Sequence, residues 1–257
     1  MTRPQLVVLA GPNGAGKSTF HEAHLRDSPL PFLNADLLSA RTGIDSPEAA
    51  RLLDAARDEM IESGVGFITE TVFSDPFGVK VSMLRRAVAR GFEVTLLYVG
   101  VESPGLAGLR IDQRVAAGGH DVPRDRLVGR FARSLSNLRD ALEFVPFVKL
   151  YDNSSVEEPF RLIASFEAGT PVFVDIGRTP AWARGIVARL ARRRRPGRGR
   201  GRRRRPCRPR LGHALGAVVG PSDGRREGAD ATASTHAPGS HRVGGLGRGK
   251  IPFTPSI

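Results

Sequence analysis

The sequence predicts an α/β fold in which helices cover both faces of a mainly parallel, five-stranded sheet. Two observations indicate this fold. Short apolar runs alternate along the chain with segments whose apolar residues recur at helical spacing, and such alternation is typical of parallel sheets. In addition, the first apolar run leads directly into a glycine-rich string at residues 11–18, and a predicted helix follows it.

Five apolar runs are predicted to be the strands of this sheet: residues 5–10, 31–34, 66–69, 92–99 and 146–151. Farther along the chain, apolar residues alternate with others from Phe160 to Phe166 and again at Val172 and Val174, with Gly169 between the two stretches. Alternation on both sides of a glycine turn predicts a β-hairpin appended after the main sheet.

Helices are predicted between the strands from their start and stop signals. Ser46-Pro47-Glu48 is typical of a helix start, with Ser46 as the capping residue, and Gly64 ends this helix. Its apolar stripe is predicted at Ala49, Leu52, Leu53, Ala56 and Met60. Later helices are predicted to end at Gly91, to begin at Ser103-Pro104 and to begin at Pro123.

Residues 11–18 match the phosphate-binding pattern G-x-x-x-x-G-K-[ST] without a substitution. The glycines allow the backbone amides to surround an anion at the start of a helix. Lys17 is then expected to reach the β- and γ-phosphates of ATP, and the Ser18 hydroxyl to bind Mg²⁺. The fold is therefore predicted to be the three-layer sandwich of P-loop NTPases. The predicted nucleotide-binding residues are Gly11, Pro12, Asn13, Gly14, Ala15, Gly16, Lys17, Ser18 and Thr19.

Two acidic residues follow predicted strands at the edge where open α/β sheets bind ligands. Asp36 comes after the second strand. It could accept a proton from a substrate hydroxyl, or it could cap the helix that begins near Leu37. Thr71 is predicted to contact substrate, and so is Glu70, which comes after the third strand. It could hold a Mg²⁺-bound water or a substrate hydroxyl, or it could simply face solvent.

Several arginines lack a carboxylate three or four residues away. Arg110 and Arg114 lie four residues apart on one predicted helix, and this arrangement is favourable when a polyphosphate lies between the two charges. The alternative is a solvated basic face. Gly118-Gly119 begins a segment with the composition of a hinged helical lid. Within and after this segment, His120, Arg124 and Arg126 are predicted to contact substrate, while Arg133 is predicted to lie at the surface.

The charge of the 257-residue chain is concentrated near its C-terminal end. The formal net charge is +13, but residues 191–257 hold 17 Lys and Arg against 3 Asp and Glu, and residues 1–190 carry a net charge of −1. Residues 1–190 are predicted to form the kinase domain, and the Arg-, Gly- and Pro-rich residues 191–257 a disordered tail. The tail either binds nucleic acid or acidic lipids through its arginines, or has no selected role.

The cellular location is predicted from two features. Cys207 is the only cysteine, so no intramolecular disulfide can form, which fits a reducing compartment. The apolar run before Gly11 is too short for a signal peptide, and no apolar run approaches the ~20 residues that cross a bilayer. We expect a cytoplasmic protein that binds no membrane.

Taken together, the motifs resemble the zeta toxin family of P-loop kinases. The resemblance covers about residues 3–185 and depends on residues 11–19, Asn34-Ala35-Asp36, Glu70-Thr71, the arginines of 110–130 and Tyr151-Asp152-Asn153-Ser154. The string Gly118-Gly119-His120-Asp121-Val122-Pro123 is similar to the stand-alone chromosomal branch. The chain departs from the family pattern at Val72, where the family usually has Thr, and at His120, near which the family places a second charge-neutralising arginine.

The resemblance implies ATP- and Mg²⁺-dependent phosphorylation of a sugar hydroxyl of UDP-N-acetylglucosamine. Lys17 and Ser18 would serve the phosphates and Mg²⁺, Asp36 would be the catalytic base, and Glu70 would lie near the metal and the substrate. Arg110 or Arg114, with a lid residue near 120–126, would stabilise the transferred phosphoryl group. It also implies a separate antitoxin as a partner. The alternatives are a kinase or ATPase for another acceptor, such as an antibiotic, a nucleotide or a nucleic-acid end, and a nucleotide-regulated RNA-binding protein that uses the tail.

Overall fold

The structure of the protein is a computed structural model, and it describes residues 2–116 and 123–193. Within these residues, seven strands form one sheet: β1 (Gln5–Ala10), β2 (Phe32–Leu33), β3 (Phe67–Thr71), β4 (Glu93–Gly100), β5 (Phe147–Asp152), β6 (Arg161–Glu167) and β7 (Thr170–Val174). Their order across the sheet is β2-β3-β1-β4-β5-β6-β7.

The first five strands pair with one another in parallel, which confirms the predicted α/β class. The predicted hairpin is β6 and β7, which pair antiparallel. It continues the main sheet, because β6 also pairs antiparallel with β5. The two turn residues, Ala168 and Gly169, both have a positive φ, as two-residue hairpin turns of this kind require.

Helices connect the strands. In the described residues they are α1 (Lys17–His24), α2 (Ala35–Thr42), α3 (Ser46–Glu62), α4 (Val79–Ala89), α5 (Pro104–Ala116), α6 (Arg124–Ala141) and α7 (Ala181–Arg193), with a short 3₁₀ helix at Ile176–Arg178. None of the helices in these two ranges is long and apolar enough to cross a membrane.

The central strand β1 is covered on both faces. Residues 6–10 are all buried, and successive side chains of a strand point to opposite faces of the sheet. Burial of consecutive residues therefore means that helices pack on both sides, which is the predicted three-layer arrangement. The same core includes the buried residues of β4 and β5.

Helix α3 differs from its prediction in two details. Its N-cap is Asp45, whose side chain accepts a hydrogen bond from the Glu48 amide at 2.7 Å; Ser46 was the wrong choice because it is already the first helical residue. The buried stripe is rotated relative to the predicted one and consists of Ala49, Leu53, Arg57 and Ile61. Leu52, which was placed in the stripe, is exposed.

Helix α7 was not predicted. Trp182 lies against the end of β4, where the Gly100 position leaves room for the indole, and the indole N–H donates to Asp152 Oδ1 at 2.9 Å. The helix extends to Arg193, so it includes the first three residues of the predicted tail. The remainder of that tail lies outside the described residues.

Candidate active site

The candidate site lies where the parallel strands end. Register pairs Ala10 of β1 with Thr71 of β3 and with Tyr98 of β4. The segments that follow β1, β2 and β3 therefore emerge at one edge of the sheet, where ligands of open α/β sheets bind. These segments carry the glycine-rich loop, Asp36 and the residues after Glu70.

In the loop at residues 11–18, Gly11 and Gly14 have backbone conformations and close contacts that only glycine accommodates. Gly14 has a φ of 74°, and a Cβ there would lie 2.3 Å from the Ala107 carbonyl oxygen. Gly11 has a φ of 146°, and a Cβ there would lie 2.1 Å from the Val99 carbonyl oxygen. These approaches hold the loop against the end of β4 and the start of α5, and α1 begins directly after it at Lys17.

Substituting Gly14 with Ala tests this loop geometry. The new methyl group would collide with backbone at Ala107, so we expect Gly14→Ala to weaken ATP binding at least ~10-fold by misplacing the loop amides. Gly64→Ala is the matched control, because Gly64 also has a positive φ of 69° but has open space around it. Isothermal titration calorimetry should show unchanged affinity for the control; equal affinities for both variants would contradict the close-approach explanation.

Lys17 is buried beneath the loop, with 6 % of its side chain exposed. Its Nζ donates to the Pro12 carbonyl oxygen at 3.2 Å and lies 3.7 Å from Glu70 Oε1. Burial lowers the pKa of Lys17, and the nearby charges of Glu70 and Asp36 oppose this shift. The ammonium group thus lies between the loop at residues 11–18 and the end of β3.

Glu70 is contacted by Lys17, Ser18 and Asn34, and 12 % of its side chain is exposed. Its Oε2 accepts hydrogen bonds from Asn34 Nδ2 at 2.7 Å and from Ser18 Oγ at 3.3 Å. A hydroxyl and a carboxylate so close together fit Mg²⁺, which prefers oxygen ligands and takes few of them from the protein. No group of three or more His, Cys, Asp or Glu side chains suited to a metal is found among residues 2–116 and 123–193.

Asp36 lies in the first turn of α2 but does not cap this helix. The cap is Asn34, whose Oδ1 accepts from the Leu37 amide at 3.0 Å. The capping alternative for Asp36 is therefore wrong. Its side chain is exposed, and it lines open space together with Glu70.

Two cavities meet at these acidic residues. The first, here called the P-loop cavity, has a volume of about 340 Å³ and is lined by the loop, Ser18, Thr19, Arg110, Arg114 and Asn153. The second, called the adjoining cavity, has a volume of about 450 Å³ and lies over the residues that follow β2 and β3. Both cavities are lined by Asp36, Glu70 and Val72. Molecules in the two cavities would therefore both lie beside the two carboxylates.

The two arginines of α5 lie on the P-loop cavity, as their spacing suggested. The guanidinium of Arg110 donates to the Asn153 carbonyl oxygen at 2.7 Å. Asn153 in turn donates through Nδ2 to the Ala15 carbonyl oxygen at 2.9 Å. Arg114 is near enough to Lys17 for its charge to lower the Lys17 pKa. Asn153 thus connects the loop at residues 11–18 to α5.

The three residues assigned to the lid have different positions. Arg124 forms an ion pair with Asp112 of α5, and Arg126 is exposed. Neither lines the P-loop cavity or the adjoining cavity. His120 lies outside the described residues, as do Gly118 and Gly119. Substrate contact by these residues stays a prediction.

The adjoining cavity contains two charged residues that the sequence did not single out, Arg57 and Lys80. Arg57 is buried, donates to Thr69 Oγ1 at 2.7 Å and pairs with Asp54. Its position within the buried stripe of α3, at a spacing of four from Leu53 and Ile61, is a signal that could have identified it. The cavity is also lined by Thr71, Ser74, Asp75, Lys80, Arg130 and Arg133. Arg133 is exposed, as predicted, yet it belongs to this lining.

Comparisons with known proteins agree with the motifs. The model of the family described as zeta toxin matches residues 40–157. This range includes Glu70, Arg110, Arg114 and Asn153, and it begins after the loop at residues 11–18. An uncharacterised protein of Haemophilus influenzae is 27 % identical over 131 residues, which is 49 % of this chain and 91 % of that protein.

Two solved structures align with this protein. A chain of the AvrRxo1-ORF1:AvrRxo1-ORF2 crystal structure with sulphate ions aligns with a TM-score of 0.54 and 15 % identity. It covers 73 % of this chain, and this chain spans 63 % of its length. The PezAT toxin-antitoxin system of Streptococcus pneumoniae aligns with a TM-score of 0.47 and 17 % identity, covering 65 % of this chain and 76 % of that one.

The family match agrees with the resemblance over the matched stretch, since the zeta toxin model covers residues 40–157. Together with the phosphate-binding loop at residues 11–18, which precedes the matched stretch in the sequence, this match supports a P-loop phosphotransferase.

Proposed function

We propose that the protein is an ATP-dependent kinase that transfers the γ-phosphate of ATP to a hydroxyl group of a small molecule. The observation that carries this proposal is the pair of cavities that meet at Asp36 and Glu70. One cavity has the loop of a triphosphate site, and the other offers space for an acceptor next to it. Transfer between two substrates requires such contact, because the reacting atoms must approach to about 3–3.5 Å.

The residues of the P-loop cavity would position and stabilise the phosphates. The loop amides and Lys17 would bind the β- and γ-phosphates, and Arg110 and Arg114 would neutralise charge on the transferred group. Ser18 and Glu70 would hold Mg²⁺, which neutralises phosphate charge when it is bound. The buried position of Lys17 strengthens its attraction for phosphate, because nearby water is excluded.

Asp36 would act as the general base at the border between the cavities. The acceptor hydroxyl oxygen forms a bond to the γ-phosphorus while the bond from this phosphorus to the β–γ bridging oxygen breaks. The hydroxyl proton passes to the Asp36 carboxylate, and ADP leaves with the bridging oxygen. The exposed carboxylate suits this role, because it is not used as a helix cap and it faces both cavities.

For the acceptor, we propose a nucleotide sugar, and UDP-N-acetylglucosamine in particular. The zeta toxin match supports this choice. The adjoining cavity is also consistent with it, because its lining combines hydrogen-bonding side chains with Arg57, Lys80, Arg130 and Arg133. Cationic side chains favour a ligand that carries phosphate groups. We also propose a separate antitoxin protein as a partner, as the family suggests.

The experiment that tests this function is an assay of the purified protein with γ-labelled ATP, Mg²⁺ and a panel of nucleotide sugars. We expect mass spectrometry to find UDP-N-acetylglucosamine with one additional phosphate on a sugar hydroxyl. The panel should include an aminoglycoside, a nucleoside and a 5′-hydroxyl oligonucleotide, which represent the other acceptor classes. Phosphorylation of one of these alone would refute the nucleotide-sugar acceptor, and hydrolysis of ATP with no phosphorylated product would refute the kinase.

A further inference from the structure

Residues 72–75, here called the acceptor loop, form one wall of the adjoining cavity. All four residues of this loop line the cavity, and Val72 lines the P-loop cavity as well. The loop follows β3 directly, two residues after Glu70. Its shape therefore determines where a molecule in the adjoining cavity can lie relative to Glu70 and Asp36.

The acceptor loop has a conformation that its own sequence does not favour. Phe73 has a φ of 59°, a left-handed backbone conformation that is strained for a bulky residue. The Phe73 side chain is 1 % exposed. Its burial in the core helps to keep the residue in this conformation. A strained loop keeps its shape only where the surrounding structure holds it.

Side chains of helix α6 hold the acceptor loop by donating hydrogen bonds to the carbonyl oxygens of the loop. Ser134 Oγ donates to the Val72 carbonyl oxygen at 3.0 Å, and Arg133 Nε donates to the Ser74 carbonyl oxygen at 3.0 Å. Asn137 Nδ2 donates to the carbonyl oxygens of both Phe73 and Asp75, each at 3.1 Å. Three side chains of one helix thus bind all four carbonyls of the acceptor loop.

Asn137 makes two of these four hydrogen bonds and is itself buried. Ser134 is also buried, and its hydroxyl lies 3.0 Å from the Tyr98 hydroxyl. Loss of a donor here leaves buried carbonyl oxygens without a partner, which the loop can avoid only by moving toward water. Because the loop is strained, movement also relaxes Phe73. Removal of the Asn137 amide is therefore expected to change the shape of the cavity wall.

We propose that Asn137 is a positioning residue for the acceptor: with Ser134, it holds the strained acceptor loop in the shape that places the acceptor hydroxyl at Asp36. This inference rests on the proposed kinase function. Asn137 lines neither cavity, so it acts through the loop and not by contact with a substrate. The specificity for an acceptor would then depend on Asn137, a residue that the acceptor does not contact.

The test compares Asn137→Leu, which keeps side-chain volume but has no donor, with Ser136→Ala, an exposed neighbour on the same helix. We expect Asn137→Leu to raise the KM for UDP-N-acetylglucosamine about 10-fold or more through misplacement of the loop, while the KM for ATP changes less than about twofold. Ser134→Ala, a smaller change, should shift the acceptor KM in the same direction. Thermal unfolding establishes that each variant is folded at the assay temperature.

Two outcomes would overturn this inference. The first is a folded Asn137→Leu protein with a lower Tm and an unchanged acceptor KM, since this is the result of a purely structural role. The second concerns hydrogen exchange, which does not depend on the acceptor. We expect amides of residues 70–80 to exchange roughly tenfold faster in Asn137→Leu than in Ser136→Ala, and equal exchange would refute the loop-holding role. If the wild-type protein does not phosphorylate UDP-N-acetylglucosamine, the proposed acceptor fails, and hydrogen exchange alone decides the role of Asn137.

Discussion

Lys17→Ala is expected to reduce phosphotransfer by about 10³-fold, the upper range for removing one preorganised donor from a developing negative charge. Lys17 Nζ lies within hydrogen-bond distance of the Pro12 carbonyl oxygen and 3.7 Å from Glu70 Oε1. The loss of this ammonium group removes a buried cation from the proposed phosphate site. It also leaves Glu70 without its neighbouring positive charge. The measurement is the initial rate of transfer from γ-labelled ATP at saturating acceptor.

Lys149→Ala is the control for this variant. Lys149 is a half-buried lysine of β5 and lines neither cavity, so the same truncation removes charge without affecting the phosphates. We expect its rate to remain within about twofold of wild type, in line with the small effects of substitutions away from the site. If Lys17→Ala retained a comparable rate, the phosphate-binding role of the loop lysine would be refuted.

Asp36→Asn is expected to slow turnover by about 10²-fold or more, the usual contribution of a general base, and to leave the affinity for ATP nearly unchanged. The amide has the size of the carboxylate but accepts no proton at neutral pH. Because Asn34 caps α2, the substitution should not disturb the helix. Single-turnover kinetics with labelled ATP separate the chemical step from ATP binding.

The matched control is Asp45→Asn, the same chemical change one helix later. Asp45 caps α3, and Asn is an equally good cap, so both stability and turnover should remain as in wild type. An Asp36→Asn enzyme with normal turnover would mean that the proton leaves by another route. In that case Glu70, the other carboxylate shared by the cavities, would be the next candidate for the base.

Features that depend on neighbouring residues in the sequence could be predicted. Each of the five parallel strands lies within two residues of its predicted bounds, because buried parallel strands are continuous apolar runs. The loop at residues 11–18 was recognised because its glycines, lysine and serine are contiguous. Asp36 and Glu70 were found for a related reason, because Asp36 follows β2, Glu70 is the second-last residue of β3, and the strand ends of a parallel sheet share an edge.

Features that depend on distant contacts could not be predicted. Asp36 was a possible cap for a helix predicted to begin near Leu37, but α2 begins two residues earlier, at Ala35, and Asn34 caps it. The role of Asn137 requires the approach of α6 to the acceptor loop, more than sixty residues earlier in the chain. Helix α7 was missed because its last turn merges with an arginine-rich segment, although Trp182 buries its first turn against β4.

The most direct test of the proposed kinase is calorimetric titration of the purified protein with ATP in the presence of Mg²⁺ and again in the presence of EDTA. We expect one ATP per chain to bind with an affinity that falls when Mg²⁺ is removed and falls further in Lys17→Ala. A wild-type protein that is folded and yet binds no ATP under either condition would contradict the phosphate-binding role of residues 11–18, and with it the kinase.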